Sequence, residues 1–235
     1  MSIDKTKWPK SLPELTEEQQ RVRDDFMAYW HTVLPKYNAV EKFNHGWPAR
    51  FAKPGQRTLE IGAGLGEHLE FEPDPAPGEY VCNELREPMA AEIRRRYPAV
   101  DVVVGDCQEG LPFPDASFDR AMAIHVLEHL PDLPAALREL RRLVKDDGRL
   151  IAMIPCEGGL AYGLARRISA QRVFERRYKM NYDWFVASEH INFPDEIMEE
   201  CAREFTLTDR TYFPLRVPIA TANLVIGLEY APRVA

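Results

Sequence analysis

The stretch of residues 58–71, TLEIGAGLGEHLEF, decides the fold of this chain. It begins with an apolar run and continues with three glycines at alternate positions, Gly62, Gly64 and Gly66, before residues that suit the start of a helix. A strand, a glycine turn and a helix start form the usual cradle for a nucleotide-like ligand in an open parallel sheet. Glycine adopts backbone angles that other residues avoid, and it lets a ligand approach the main chain closely. The stretch therefore predicts one strand of such a sheet together with its ligand-binding edge.

Strand and helix signals alternate after this stretch. Short apolar runs predict strands at 58–61, 80–84, 101–104, 120–124 and 149–154, with helices at 88–97 and from Pro134 to Gly148. This alternation predicts a parallel sheet with crossover helices on both faces. Two β-rich runs, 206–213 and 220–230, would close the sheet as an antiparallel pair. The predicted fold is α/β, a Rossmann-like seven-stranded mostly parallel sheet with helices on both faces.

Composition limits the class of protein. The 235 residues are 45% hydrophobic and 29% charged, as in a soluble globular domain. The net charge of -7 argues against a nucleic-acid partner, which usually meets a basic face. We expect no signal peptide and no membrane span, because no run approaches the ~20 apolar residues that a span needs. The four cysteines form no CxxC pair, which indicates reduced thiols in a cytoplasmic protein.

Three further groups of residues follow the predicted strand ends. Glu84 comes 18 residues after Gly66, and a carboxylate at this distance suits a ribose diol because it accepts two hydroxyl hydrogen bonds. Asp106 and Cys107 follow the third strand, where Asp106 suits the amino group of adenine or, alternatively, caps a turn. His125 follows the fourth strand. Open parallel sheets bind ligands at these carboxyl ends, so we expect the groups to meet there.

These residues carry a resemblance to a known family. The stretches LEIGAGLG, YVCNELREPM, VVVGDCQEGLPFPDASFD, AIHVLEHLPD and LRELRRLVKDDGRLIAMIP, over roughly residues 57–155, resemble the class I S-adenosylmethionine-dependent methyltransferases. The sequence departs from the family at Glu84, where aspartate is common, and at Lys145–Gly148, where the family often has Pro-Gly-Gly. Glutamate is also an acceptable ligand for a diol, and the second position is a structural loop.

The resemblance implies a role for each of these residues toward S-adenosylmethionine. Glu60 and the glycine turn would lie beside the methionine part, with the charge of Glu60 facing the cationic end. Glu84 would hold the ribose hydroxyls, Leu85 would lie against adenine, and His125 would lie near the sulfonium. The complete set of cofactor-binding candidates is Glu60, Gly62, Ala63, Gly64, Gly66, Glu84, Leu85, Asp106, Cys107 and His125.

A general base is needed only if the acceptor must lose a proton. The candidates are His190, then His129 and Glu157, since a histidine titrates near neutrality and Glu157 follows the fifth strand, where an acceptor should enter. Each has an alternative structural role, as a capping, packing or loop residue. His125 and His129 are four residues apart, but no third ligand has suitable spacing, so no metal site is predicted.

The resemblance implies a methyltransferase. The acidic charge and the lack of a recognisable RNA module favour a small-molecule or glycan acceptor over nucleic acid or protein, with O- or N-methylation expected and a homodimer possible. We divide the chain into an N-terminal helical arm and lid (1–56), the cofactor-binding core (57–155), a helical insertion that caps the acceptor (156–193) and a C-terminal helix and strand pair (194–235). Within the lid, residues 42–51 are predicted as a loop or short turn. The arginines of the insertion form either a solvated face or a site for an anionic acceptor.

Two alternatives to this function remain open. One is a non-catalytic interaction module with the same fold. The other is a nucleotide-cofactor enzyme of related fold, although the GxGxG spacing is not the GxGxxG of nicotinamide dinucleotide sites.

Overall fold

The structure is a computed structural model that describes residues 8–33 and 38–233. Over these residues, seven strands form one sheet in the order β3-β2-β1-β4-β5-β7-β6. Strands β1 to β5 are parallel, and β7 is antiparallel to both of its neighbours, β5 and β6. The strands are β1 (Thr58–Ile61), β2 (Tyr80–Glu84), β3 (Asp101–Val104), β4 (Phe118–Ile124), β5 (Val144–Pro155), β6 (Phe205–Phe213) and β7 (Val225–Pro232). The predicted fold class is confirmed.

Eight α-helices surround the sheet over the described ranges. They are α1 (Glu17–Val33), α2 (Asn38–Ala49), α3 (Glu87–Arg96), α4 (Leu133–Leu143), α5 (Leu160–Ile168), α6 (Ala170–Tyr178), α7 (Asp183–Glu189) and α8 (Pro194–Glu204). Thr16 and Gln19 form a reciprocal capping box before α1, with hydrogen bonds of 2.9 and 3.2 Å. None of these helices is both long enough and apolar enough to cross a membrane.

The two faces of the sheet have different cores because alternate strand residues point in opposite directions. Leu59 and Ile61 are fully buried in the cluster that also contains the apolar side chains of α4 and α8. The opposite face buries Tyr80, Met122 and Trp47. Burial of each large apolar side chain contributes roughly 1.5–3 kcal/mol, so these two layers hold the sheet rigid beneath its carboxyl edge.

Residues 42–51, predicted as a loop, belong largely to helix α2, and this prediction is wrong. The loop was inferred from Gly46 and Pro48, which commonly interrupt helices. Here Pro48 lies in the last turn of α2, where its ring is tolerated. Trp47 is only 5% exposed and anchors the helix on the sheet. A Cβ atom on Gly227 of β7 would lie 2.9 Å from the Trp47 ring, so strand and helix are in close contact. Helix α7 was also not predicted.

The N-terminal arm contacts the C-terminal part of the chain through Lys10. Its side chain is 1% exposed, and Nζ donates hydrogen bonds to the carbonyl oxygen of Ile191 at 2.9 Å and to Glu196 Oε1 at 2.8 Å. The backbone N–H of Lys10 donates to the carbonyl oxygen of Pro131. One buried cation therefore ties the arm to the segment before α8.

Strand order defines where a ligand can enter. From β1 the chain proceeds to β2 and β3 on one side, and then crosses to β4 on the other side. At such a switch point the connections leave in opposite directions and open a crevice at the strand carboxyl ends. The glycine turn after β1 lies at this crevice.

Candidate active site

The glycine turn after β1 requires glycine at its first position. Gly62, Gly64 and Gly66 have φ values of 61°, 60° and 79°, in the left-handed region that glycine favours. A Cβ atom on Gly62 would lie 2.5 Å from Val126 Cγ2, closer than two carbon atoms can approach. Val126 follows His125 at the end of β4, so the turn packs directly on the neighbouring strand end.

The backbone N–H groups of this turn already have acceptors in the protein. Those of Ala63 and Gly66 donate to carbonyl oxygens. Gly64 N–H donates to Glu84 Oε2 at 3.0 Å, and Leu65 N–H donates to Glu67 Oε2 at 2.9 Å. Phosphate cradles present free N–H groups to an anion. A turn whose N–H groups face carboxylates instead favours a neutral or cationic ligand.

Glu60 lies on the face of β1 opposite to Leu59 and Ile61, with 3% of its surface exposed. The Tyr80 hydroxyl donates a hydrogen bond to Glu60 Oε2 at 2.8 Å. Burial raises the pKa of Glu60 to about 8, against the opposing effect of the Tyr80 hydrogen bond. The carboxyl group is therefore largely protonated at neutral pH and faces Tyr80. The sequence interpretation, in which the charge of Glu60 faces the cationic end of the cofactor, stays a prediction.

Glu84 and Leu85 lie together at the end of β2. Glu84 is 6% exposed, and its two carboxylate oxygens accept hydrogen bonds from the N–H groups of Gly64 and Arg86, each at 3.0 Å. Each oxygen has a second lone pair, so the fixed carboxylate can still accept hydroxyl donors. Leu85 is 62% exposed beside it and offers an apolar surface.

Asp106 forms a turn after β3. Its carboxylate accepts hydrogen bonds from the backbone N–H and the side-chain amide of Gln108, at 2.9 to 3.1 Å. Gln108 Oε1 in turn accepts the N–H of Asp132, the N-cap of α4, at 2.7 Å. The turn-capping role is therefore present, and it holds the carboxylate at the sheet edge. Burial raises the pKa of Cys107 to about 12, so its thiol stays protonated.

His125 has a strained backbone at the end of β4, with φ at 53°. Its N–H donates to the Met153 carbonyl oxygen at 2.9 Å, which holds the residue against β5. Nδ1 lies 3.2 Å from Glu128 Oε1, while Nε2 is buried and has no hydrogen-bond partner among the described residues. Such strain is often retained at functional positions, where the surrounding structure enforces it.

The three candidate bases lie in one cluster, although they are distant in sequence. His190 Nδ1 lies 2.8 Å from Glu157 Oε2, across 33 residues of chain. The rings of His190 and His129 have centroids 5.1 Å apart and meet edge to face. His129 Nδ1 lies 2.7 Å from the Glu189 carbonyl oxygen, which can only accept, so Nδ1 carries the proton. Burial lowers the pKa of His129, so its ring is neutral at pH 7.

Glu157 and His190 form a charge-assisted pair. Glu157 also accepts hydrogen bonds from Arg166 Nη1 at 2.5 and 2.7 Å. Burial alone would raise the pKa of Glu157, but His190 and Arg166 outweigh it, so its pKa is lowered. The resulting carboxylate keeps a proton on His190 Nδ1, and this leaves Nε2 to accept one.

Glu128 is a member of this cluster that the sequence analysis missed. It is 1% exposed, lies 3.9 Å from His129 Nε2 and contacts His125, and its Oε2 has no hydrogen-bond partner in the described part of the chain. Burial alone would raise its pKa, but the hydrogen bond to His125 and the nearby histidines lower it. The N–H groups of Ile191 and Asn192 donate to its backbone carbonyl oxygen, at 3.0 Å each. The sequence signal for Glu128 is an acidic residue within the apolar run VLEHL, residues 126–130.

A groove leads away from this cluster between α5, α6 and α7. Its volume is about 640 Å³, and its lining includes Leu160, Leu164, Arg166, Tyr182 and Val186. Arg166 belongs to both the groove and the Glu157–His190 pair, so the two are continuous. A second cavity, of about 260 Å³, lies at the amino end of β5 and is remote from these residues. Within the described ranges, no group of three or more potential ligands could hold a metal ion.

Comparison with known proteins agrees with this geometry. Residues 59–152 match the family model described as "Methyltransferase domain". A demethylmenaquinone methyltransferase of Renibacterium salmoninarum is 31% identical over 138 residues, which cover 54% of this chain and 57% of that protein. A malonyl-[acyl-carrier protein] O-methyltransferase of Erwinia pyrifoliae is 36% identical over 110 residues, which cover 46% of this chain and 42% of that protein.

A solved structure has the same fold over most of the chain. A SAM-dependent methyltransferase from Thermotoga maritima superposes with a TM-score of 0.58 at 19% identity, and covers 89% of this chain and 99% of that one. The chain spans about half the length of the curated relatives it matches. The sequence match and the fold agree: residues 59–152 match the methyltransferase-domain family model, and the sheet they form is similar to that of a solved SAM-dependent methyltransferase.

Proposed function

We propose that this protein transfers a methyl group from S-adenosylmethionine to a hydroxyl or amine of a small-molecule or glycan acceptor. The observation that carries this proposal is the Glu157–His190 pair, with its 2.8 Å contact, beside His129 at the carboxyl edge of the sheet. An activated base at this edge suits an acceptor that must lose a proton.

The residues at the sheet edge fit this cofactor. When bound, S-adenosylmethionine supplies an activated methyl group on a positively charged sulfur. Glu84 has free lone pairs for the ribose hydroxyls, and Leu85 is exposed for contact with a flat ring. The N–H groups of Gly64 and Leu65 face carboxylates, which suits a ligand without phosphate. Asp106 lies at the β3 end, where the adenine edge would meet it.

The residues of the chain have three tasks in this proposal. Glu157 keeps the proton on His190 Nδ1, so that Nε2 accepts the proton of the acceptor. His129, neutral at pH 7, packs on His190 and restricts its orientation. The helical insertion, which carries His190, would shield the reacting groups from water and align the acceptor, since alignment contributes most when the leaving group is already activated.

The acceptor would lie in the groove of about 640 Å³. Its lining combines apolar side chains with Arg166 and Arg167, which favours a small amphipathic molecule with an anionic group. The two sequence relatives are named for different acceptors, a demethylmenaquinone and a malonyl group on a carrier protein. Their names therefore support methyl transfer more strongly than any one acceptor.

Calorimetry and a methyl-transfer assay with labelled S-adenosylmethionine test the proposal. We expect His190→Gln and Glu157→Gln to keep their affinity for the cofactor, while the turnover of an accepted substrate falls about 10²- to 10⁴-fold, the usual share of a general base. Glu199→Gln, at an exposed position on α8, is the matched control. Absence of cofactor binding by the wild-type protein would refute the function. Normal turnover by His190→Gln would refute the assigned base.

The two alternatives predict different results. A non-catalytic module would bind the cofactor and transfer no methyl group to any acceptor. A nicotinamide enzyme would bind its dinucleotide in preference to S-adenosylmethionine. The carboxylates of Glu67 and Glu84 oppose the second alternative, because they occupy N–H groups that a pyrophosphate would need.

A further inference from the structure

Helix α5 presents an apolar face that no other described element covers. Leu160, Leu164 and Ile168 recur every four residues, so they lie along one side of the helix. They are 82%, 62% and 67% exposed, respectively. We propose that this surface, the α5 apolar face, docks on an anionic lipid bilayer.

The connection between β6 and β7 extends this surface. Residues 220–222 pack against α5: a Cβ atom on Gly159 would lie 3.0 Å from the Ala220 carbonyl oxygen. Ile219, adjacent to Ala220, is 53% exposed, and Leu215 is 57% exposed. Large exposed apolar side chains thus occur both on α5 and on the connection that packs against it, and apolar patches of this kind mark interaction surfaces.

Positive charge is concentrated in the segment that contains α5 and α6. Residues 156–182 contain six basic and two acidic residues, whereas the whole chain has a net charge of -7. Arg167 lies next to Ile168 on α5, and Arg172 and Arg176 follow on α6. An apolar helix face bordered by arginines is the arrangement by which interfacial helices bind anionic lipid surfaces.

A second copy of the chain is a less suitable occupant. In a two-fold interface the same patch faces itself, so the arginines of one copy would approach those of the other. A bilayer with acidic headgroups instead places negative charge against the arginines while the leucines enter the acyl boundary. The groove beside Leu164 would then open toward the membrane, where an amphipathic acceptor is concentrated. That last point depends on the proposed function, but docking itself does not.

Co-sedimentation with vesicles tests docking without cofactor or acceptor. We expect the full chain to bind vesicles of phosphatidylcholine mixed with phosphatidylglycerol, and to bind pure phosphatidylcholine at least tenfold more weakly. Leu164→Asp and Ile168→Asp should each weaken binding at least tenfold. Leu160→Asn is a milder variant that serves if an aspartate disturbs α5. Leu207→Asp, at a 40% exposed position on β6, is the matched control.

Each outcome either supports or overturns the proposal. Binding that depends on acidic lipid and is lost in the α5 variants, but not in Leu207→Asp, supports it. Absent binding, equal binding to neutral vesicles, or full binding by the α5 variants overturns it. Self-association that Leu164→Asp abolishes, without vesicle binding, would identify a second copy as the occupant. A negative result in the vesicle experiment would not bear on the proposed methyl transfer, because calorimetry and the methyl-transfer assay test that function separately.

Discussion

Substitution of Gly62 by alanine should destabilise the glycine turn in two ways, through a steric contact and through an unfavourable backbone angle. The new Cβ atom would lie 2.5 Å from Val126 Cγ2 and 3.1 Å from Cγ1, in a region already closely packed. Overpacking of this kind costs about 1–3 kcal/mol. The φ value of 61° adds the left-handed cost of a non-glycine residue, roughly 1–2 kcal/mol. We therefore expect a loss of about 2–5 kcal/mol in the free energy of unfolding.

Gly78→Ala is the matched control. Gly78 also has a positive φ, at 83°, but nothing lies within 4 Å of its added Cβ atom. This variant should lose only the backbone part, roughly 1–2 kcal/mol. Guanidinium unfolding of both variants gives the difference, which at this chain length corresponds to a shift in melting temperature of roughly 2–4 °C per kcal/mol.

The double variant Gly62→Ala/Val126→Ala tests whether the contact with Val126 causes the destabilisation that exceeds the backbone part. Removal of the Val126 methyl groups should relieve the contact, so the two substitutions should be non-additive by about 1–3 kcal/mol. Calorimetry should also show weaker cofactor binding by Gly62→Ala, because Val126 adjoins His125. Equal destabilisation by Gly62→Ala and Gly78→Ala would refute the assigned contact between the turn and β4.

Three other variants test buried ionisable side chains. Burial raises the pKa of Glu60 from 4.5 to about 8, so its contribution to stability is complete below pH 4.5 and is lost as pH rises through about 8. Glu60→Gln should therefore reduce the decline of the free energy of unfolding with pH, as measured by guanidinium unfolding, and an unchanged decline would contradict the shift. Glu84→Gln should weaken cofactor binding about tenfold to hundredfold in calorimetry, since bonds to charged groups contribute roughly 1.5–3 kcal/mol, whereas Glu87→Gln at an exposed site should not. Arg120→Leu leaves the Glu72 carboxylate buried without its 2.6 Å partner and should cost roughly 3–5 kcal/mol in the same melts; a cost near zero would mean that the pair is not needed.

The strands and the sheet edge could be predicted from sequence because their signals are local. An apolar run ending in a glycine turn fixed β1, and the spacing to Glu84 indicated a second residue at the same edge. The cluster of His129, His190 and Glu157 has no local signal. Its members approach through the folding of the insertion onto the residues after β4, which depends on packing between distant segments. Similarly, burial of Glu60 beside Tyr80 follows from strand pairing, so its altered pKa could not be read from its motif.

The buried contact of Lys10 has a consequence for the order of folding. Its two side-chain hydrogen bonds join residues separated by 181 and 186 positions. Contacts of such long sequence separation close late, because the entropy of a large loop must be lost before the contact stabilises anything. During synthesis, Lys10 can bind Glu196 only after α8 has emerged from the ribosome. The segment that carries His190 is thus secured near the end of folding, after the parallel strands can already have formed.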